Sequence, residues 1–176
     1  QAIKEYPYNT TLSTLPVNIK WPNDIYSETH KISGVLCNSE YFDKQFHIIS
    51  GIGINVFNQE PTTCINQILQ NANIKDLELT REIVLAEFCN RFEPMFEEFV
   101  TKGFAPFEEA YCQHWLHTNQ KVIITEDENE TPVWISGLTT SGYLKAKDEN
   151  GNTFELHPDG NSLDFFNGLL RKKLPQ

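Results

Sequence analysis

The chain has 176 residues, 39% hydrophobic and 22% charged, enough for one sizeable domain or a larger domain with a small one. Its formal net charge of −10 argues against nucleic acid as a partner, because phosphate binding takes lysines and arginines that displace counterions. No apolar run approaches the ~20 residues that span a bilayer, and the opening QAIKEYPYNTT carries neither the basic nor the apolar region of a signal peptide.

Val17 to Lys20 (VNIK) alternates apolar and polar residues, which predicts a half-buried strand ended by the turn chemistry of Trp21-Pro22-Asn23-Asp24. Ile32 to Cys37 is a short apolar strand around Gly34, and Phe46 to Val56 is a longer one carrying Gly51 and Gly53. Tyr41-Phe42-Asp43-Lys44 between them closes an antiparallel hairpin with a longer loop. Glycines weaken a strand, so these point to close approach by a ligand or another backbone.

Pro61-Thr62-Thr63 leads into a short helix over Ile65 to Leu69. A longer helix starts at Thr80, a favourable N-cap, with Glu82 in its first turn, and Gly103 stops it. Leu85, Phe88, Phe92, Met95 and Phe99 recur at helical spacing and are expected to pack into the core, with Pro94 expected to kink or split the helix near Phe92. Pro106 suits the first position of a further helix, on which Phe107, Tyr111 and Trp115 form another core stripe.

From Lys121 the pattern becomes all-β, with strands expected over 121–125, 132–138, 142–147 and 153–157. Turn signals stand at Asp127-Glu128-Asn129, Ser141-Gly142 and Glu149-Asn150-Gly151. Asp159-Gly160-Asn161 is expected to end the run before an amphipathic segment, Leu163 to Leu170. The organisation is therefore α+β over 1–118, followed by a small β-barrel or sandwich over 119–176. Cys37, Cys64, Cys89 and Cys112 form no CxxC pair and read as free thiols, mostly in the core, in a reducing, cytoplasmic compartment. If Cys112-x-His114-x-x-His117 is helical its two histidines share a face, but histidines also suit the last turn of a helix, and no metal site is assigned.

Three stretches carry potential chemistry. Lys20-Trp21-Pro22-Asn23-Asp24 projects an amide and a carboxylate from one turn, though by itself it also reads as a buried Trp before an ordinary turn. Lys31, at the mouth of an apolar strand, is either a surface lysine or a fixed cation for a phosphate or carboxylate, with Gly34 beyond it leaving room for a ligand. Gly51-Ile-Gly-Ile-Asn55 is neither a dinucleotide fingerprint nor a P-loop, because the glycines stand among strand-forming residues and no Gly-Lys-Ser/Thr follows. No nucleophile has a base beside it in the sequence, so covalent catalysis has no support.

In order, KWPNDIY (20–26), KISGVL (31–36) and GIGINV (51–56) resemble the central motifs of biotin–protein ligases. PTTCIN (61–66) and HPDGNSLDFFNGL (157–169) resemble the eukaryotic holocarboxylase-synthetase branch, and YCQHWLH (111–117) resembles the helix before that family's C-terminal domain. The resemblance implies part of a class II synthetase-like catalytic domain, a mixed sheet with helices, over 1–118, and an SH3-like barrel over 119–176. It implies an enzyme that forms biotinyl-5′-AMP from biotin and Mg-ATP and passes biotin to a lysine of the carrier domains of biotin-dependent carboxylases. Such chemistry needs positioning and electrostatic stabilisation and no covalent nucleophile.

By the same resemblance Lys31 contacts the biotin carboxyl and adenylate linkage, and Asn23 and Asp24 line the adenylate site, Asp24 also helping to take a proton from the acceptor lysine. Asn55 meets the adenine side, Gly34, Gly51 and Gly53 are positions of close backbone approach, and Trp21 is structural support. No Gly-Arg run precedes Lys20, so the resemblance implies the C-terminal part of the catalytic region without the family's glycine–arginine-rich loop. The competing readings are a lipoate–protein ligase-like enzyme and a non-catalytic module that binds carrier domains.

Overall fold

The computed structural model describes residues 15–58, 62–126, 129–158, 161–164 and 169–172. Two compact units follow one another, Gln1–His114 and Trp115–Gln176, where the sequence reading divides the chain after residue 118. Pro61, the turn at 127–128, Asp159-Gly160 and 165–168 lie outside the described residues.

In the first unit, β1 (Val17–Lys20), β2 (Asp24–Ser27), β3 (His30–Phe42) and β4 (Gln45–Ile54) make an antiparallel sheet in the order β1-β2-β3-β4. The mixed sheet implied by the family resemblance is therefore replaced, among the described residues, by a meander in which every paired neighbour is antiparallel. The β3–β4 hairpin closes through Asp43-Lys44 alone, with Phe42 paired to Gln45, so the expected longer loop is a two-residue turn. Both turn residues have positive φ (50° and 60°), the twist that suits tight hairpins.

Three helices follow among the described residues of this unit: α1 (Ile65–Asn71), α2 (Arg81–Lys102) and α3 (Ala105–Gln113). Asn66 anchors α1 by donating from Nδ2 to Val56 O (3.1 Å) and Leu79 O (2.8 Å) while its Oδ1 accepts the Leu79 N–H (2.8 Å). Thr80 caps α2 by accepting the Ile83 N–H at 3.3 Å, and Gly103 ends it with φ 70°. That helix runs unbroken through Pro94 rather than splitting, since a proline removes one helical hydrogen bond without forbidding the turns around it.

The expected burial of the α2 aromatic stripe does not occur. No residue of α2 is buried, and Leu85, Phe92, Met95 and Phe99 are all exposed. Phe92, Met95, Phe96 and Phe99 line an apolar cavity of about 660 Å³ with Ile19 and Ile48 of the sheet. Periodicity identified the apolar face correctly, but it cannot say whether packing atoms fill the space opposite. Of the cysteines only Cys64 is buried; Cys37 and Cys89 are exposed and Cys112 is intermediate, against the expectation of mostly core thiols. Tyr111 and Phe107 of the α3 stripe are only half-buried.

The second unit is a sheet of β5 (Lys121–Glu126), β6 (Asn129–Leu138), β7 (Leu144–Lys147), β8 (Thr153–Leu156), β9 (Asn161–Asp164) and β10 (Leu169–Lys172), in the order β8-β7-β6-β5-β10-β9. Its core is the alternating set Val122, Ile124, Val133, Ile135, Leu144, Ala146 and Leu156. Gly142 and Gly151 take positive φ at the two turns read from the sequence (81° and 83°). Asn161 begins a strand instead of ending the run, and the segment read as one amphipathic element falls into two strands that pair Leu163 with Leu170, with β10 parallel to β5. Among the described residues the order is open, β8 and β9 forming edges of four residues each that pair on one side, where the sequence reading expects a barrel.

Candidate functional site

The residues singled out from the sequence meet on one face of the first sheet because of its register. Lys20 pairs with Asp24, Asp24 with Gly34, and Gly34 with Gly53, a row across all four strands. Directly paired residues project to the same face, so the Asp24 carboxylate stands beside two positions without side chains. Lys31 joins that face through a bulge. The β2–β3 register passes from Ile25↔Ser33 to Tyr26↔Lys31, leaving Ile32 as an extra residue that turns Lys31 onto the side of Gly34. Strict alternation would have placed positions 31 and 34 on opposite faces.

The result is an ion pair, Lys31 Nζ to Asp24 Oδ1 at 2.6 Å, lying over Gly34. The two side chains are 46% and 22% exposed, so the pair contributes at most about 1 kcal/mol to stability and an incoming anion can compete for the ammonium. Lys20 Nζ sits 5.1 Å from the centre of the Tyr26 ring on the neighbouring strands.

Trp21 is buried beneath the turn, its peptide bond to Pro22 is cis, and Tyr111 of α3 donates its hydroxyl to Pro22 O at 3.4 Å. Burial pushes the Tyr111 phenol up to about 12, with Cys112 beside it adding to the effect, so the hydroxyl stays a donor across ordinary pH. The same helix end accepts the Ile19 N–H on His114 O at 2.7 Å. Asn23 grips β3 twice, its Nδ2 donating to Val35 O and its main-chain oxygen accepting the Val35 N–H. Asn55 Nδ2 is also engaged within the protein, donating to Thr62 Oγ1 (3.3 Å), Thr63 O (3.3 Å) and Lys31 O (3.4 Å). Both amides therefore hold the walls of the site in shape.

Asn23, Asp24, Lys31, Gly34, Gly51, Gly53 and Asn55 line a single open cleft of about 830 Å³. Ser33, Leu36, Asn58 and Thr62 line it too and were not picked out from the sequence. Ser33 and Leu36 lie inside KISGVL and Thr62 inside PTTCIN, but none of them carries a side-chain signal of its own there. Added Cβ atoms at Gly51 and Gly53 would meet nothing closer than Leu36 O at 3.9 Å, so that wall is clear for a ligand. His117 lies in the second unit, fully buried, with Nδ1 2.8 Å from Gln120 Oε1. No group of three metal-ligating side chains forms among the described residues.

Residues 1–55 match the model of the biotin/lipoate A/B protein ligase family. Over 99% of its length the chain is 44% identical to biotin–protein ligase 1, chloroplastic, of Arabidopsis thaliana, and it is 37% identical over 89% of its length to the Homo sapiens biotin–protein ligase. This chain belongs to the biotin–protein ligase family. It spans about half the length of the Arabidopsis relatives, 48% and 54%. In three dimensions it resembles the biotin protein ligase of Aquifex aeolicus, with a TM-score of 0.62 and 26% identity over 83% of this chain and 64% of that one. The same enzyme solved in complex with biotin and ATP gives a TM-score of 0.58 at 27% identity, covering 83% of this chain and 61% of that one. Among the described residues, the cleft built on Lys31 and Asp24 sets a half-exposed ammonium beside an open glycine-lined wall.

Proposed function

We propose that the Lys31 cleft is the adenylate face of a biotin–protein ligase. In the first step an oxygen of the biotin carboxylate attacks the α-phosphorus of Mg-ATP and pyrophosphate leaves, giving biotinyl-5′-AMP. In the second, the amine of a carrier-domain lysine attacks the acyl carbon and AMP leaves. Magnesium enters with the nucleotide as substrate.

Lys31 supplies the fixed positive charge that stabilises oxygens on which negative charge builds in both steps. Asp24 is the base for the acceptor amine, which must lose a proton to attack. As the mixed anhydride draws Lys31 toward itself, the carboxylate is released from its pair and left beside the acyl carbon. Asn23 and Asn55 keep the cleft walls in register, Asn55 on the adenine side, and Gly51 and Gly53 let the ligand lie against β4. The partners are the carrier domains of biotin-dependent carboxylases, in a reducing, cytoplasmic compartment. The first unit is a portion of a class II synthetase-like catalytic domain, and the second is a C-terminal domain that helps handle carrier domain or nucleotide.

The observation that carries this reading is the 2.6 Å Lys31–Asp24 pair over a glycine row. Biotin-dependent exchange of pyrophosphate into ATP tests it. Lys31→Ala should lower exchange about 100-fold or more, the usual cost of removing a donor to a developing anion; exchange near normal would remove Lys31 from the mechanism. The family model also embraces lipoate ligases, and exchange supported by lipoate in preference to biotin would favour that substrate.

A further inference from the structure

Gly34 is a glycine whose backbone does not require one. It sits inside β3, is paired on both sides, and does not take a positive φ. What its missing side chain leaves open is occupied from within the protein. A Cβ at this position would lie 2.9 Å from both Cε and Nζ of Lys31 and 3.2 Å from Asp24 Oδ1. Gly53, its partner on β4, has nothing within 4 Å of the same construction. The two glycines of one row therefore serve different ends: one faces open cleft, the other lies under an ion pair.

We propose that Gly34 is the positioning residue that sets the Lys31 ammonium against Asp24, by providing the trough through which the lysine crosses the strand. The atoms in the way are mostly the far end of a flexible side chain, not backbone. A methyl group at 34 is thus expected to move the lysine tip and leave the sheet intact. The bulge at Ile32 and the absent side chain act together, one turning Lys31 onto the face and the other letting it lie flat there. The importance of that placement for adenylation rests on the function proposed above, but the placement itself does not.

The test is Gly34→Ala in the full chain, with the rate of Lys31 acylation by a small amine-reactive ester read peptide by peptide across pH, the remaining lysines serving as internal controls. Acylation of Lys31 should change by about two- to fivefold, the range an exposed ion pair supports, with the other lysines unaffected. Asp24→Asn should produce the same change, and the double variant should add nothing to either single one. An unchanged Lys31 rate, or full additivity with Asp24→Asn, overturns the proposal. If Gly34→Ala lowers the melting temperature, the same substitution in a Lys31→Ala background decides the cause. A cost that vanishes there supports the lysine as the obstacle; a cost that persists shows that the sheet needs the glycine and overturns it. Coupling between Gly34, Lys31 and Asp24 with no slowing of transfer from preformed biotinyl-adenylate would uphold the positioning and defeat the proposed function instead.

Discussion

Asp24 Oδ1 and Lys31 Nζ meet at 2.6 Å from adjacent strands because the bulge at Ile32, just beyond Lys31, turns the lysine onto the face of Asp24 and Gly34. On the proposed function, the cation for the linkage and the base for the acceptor amine share one spot, paired with each other until a ligand intervenes. The two halves of the reaction should therefore separate by mutation. Asp24→Asn is expected to spare biotin-dependent pyrophosphate exchange to within a few-fold while slowing transfer from preformed biotinyl-adenylate to a carrier domain about 100-fold, the scale of a lost general base. Single-turnover transfer assays measure this directly, and equal loss in both steps would remove the base role.

Asn66 binds Val56 and Leu79 through both ends of its amide from a buried position. Truncation leaves three main-chain groups without that partner, so Asn66→Ala should cost about 2–3 kcal/mol in urea unfolding. Because α1 follows directly from the Asn55 loop, bound by Ile65 N–H to Asn55 O at 3.0 Å, the cleft should also loosen.

Tyr111 gives an alkaline signature. Its folded value, about 12, lies above the ordinary 10.0, so the fold favours the neutral phenol. This contribution is complete below pH 10 and is lost as pH rises through the folded value. Spectroscopic titration should show a tyrosine ionising near 12, and Tyr111→Phe should remove that step.

The sequence made the motifs of the cleft legible because each depended on local chemistry. Turn residues placed Asn23 and Asp24, and apolar strands placed Lys31, Gly51, Gly53 and Asn55. What it could not reveal was long-range. The bulge at Ile32 is a property of two strands in register, and only that register shows that the space at Gly34 is filled by Lys31. Asn23 and Asn55 looked like ligand contacts because an amide's partners are invisible until the fold supplies Val35, Thr62 and Thr63. The α2 stripe failed for a related reason: Phe92, Met95 and Phe99 share a face, but spacing says nothing about what covers it. Leu163 and Leu170 suited one amphipathic segment as well as the two strands they occupy.

Asp148 organises the β7–β8 turn by accepting from Asn150 N (2.9 Å), Asn152 N (2.8 Å) and Asn152 Nδ2 (2.8 Å). Its carboxyl is held below the ordinary 3.8, first by the Asn152 side chain and then by the main-chain donors of the turn. A depressed acid stabilises the fold above its unfolded value and loses that effect as pH falls through the folded one. Asp148→Ala should thus lower the melting temperature at neutral pH, with the difference from the parent shrinking below pH 3.8. A gap that stays constant into strong acid would show that the charge is immaterial to the turn.

The most direct test of the central claim is the melting temperature of this chain with and without a non-hydrolysable biotinyl-adenylate analogue, with the lipoyl analogue and Lys31→Ala as controls. At 100 times its dissociation constant the biotinyl compound should stabilise the native chain by about 2.7 kcal/mol. The rise should be selective for biotin and abolished by Lys31→Ala. No rise, an equal rise with the lipoyl compound, or a rise that survives the loss of Lys31 would contradict the claim.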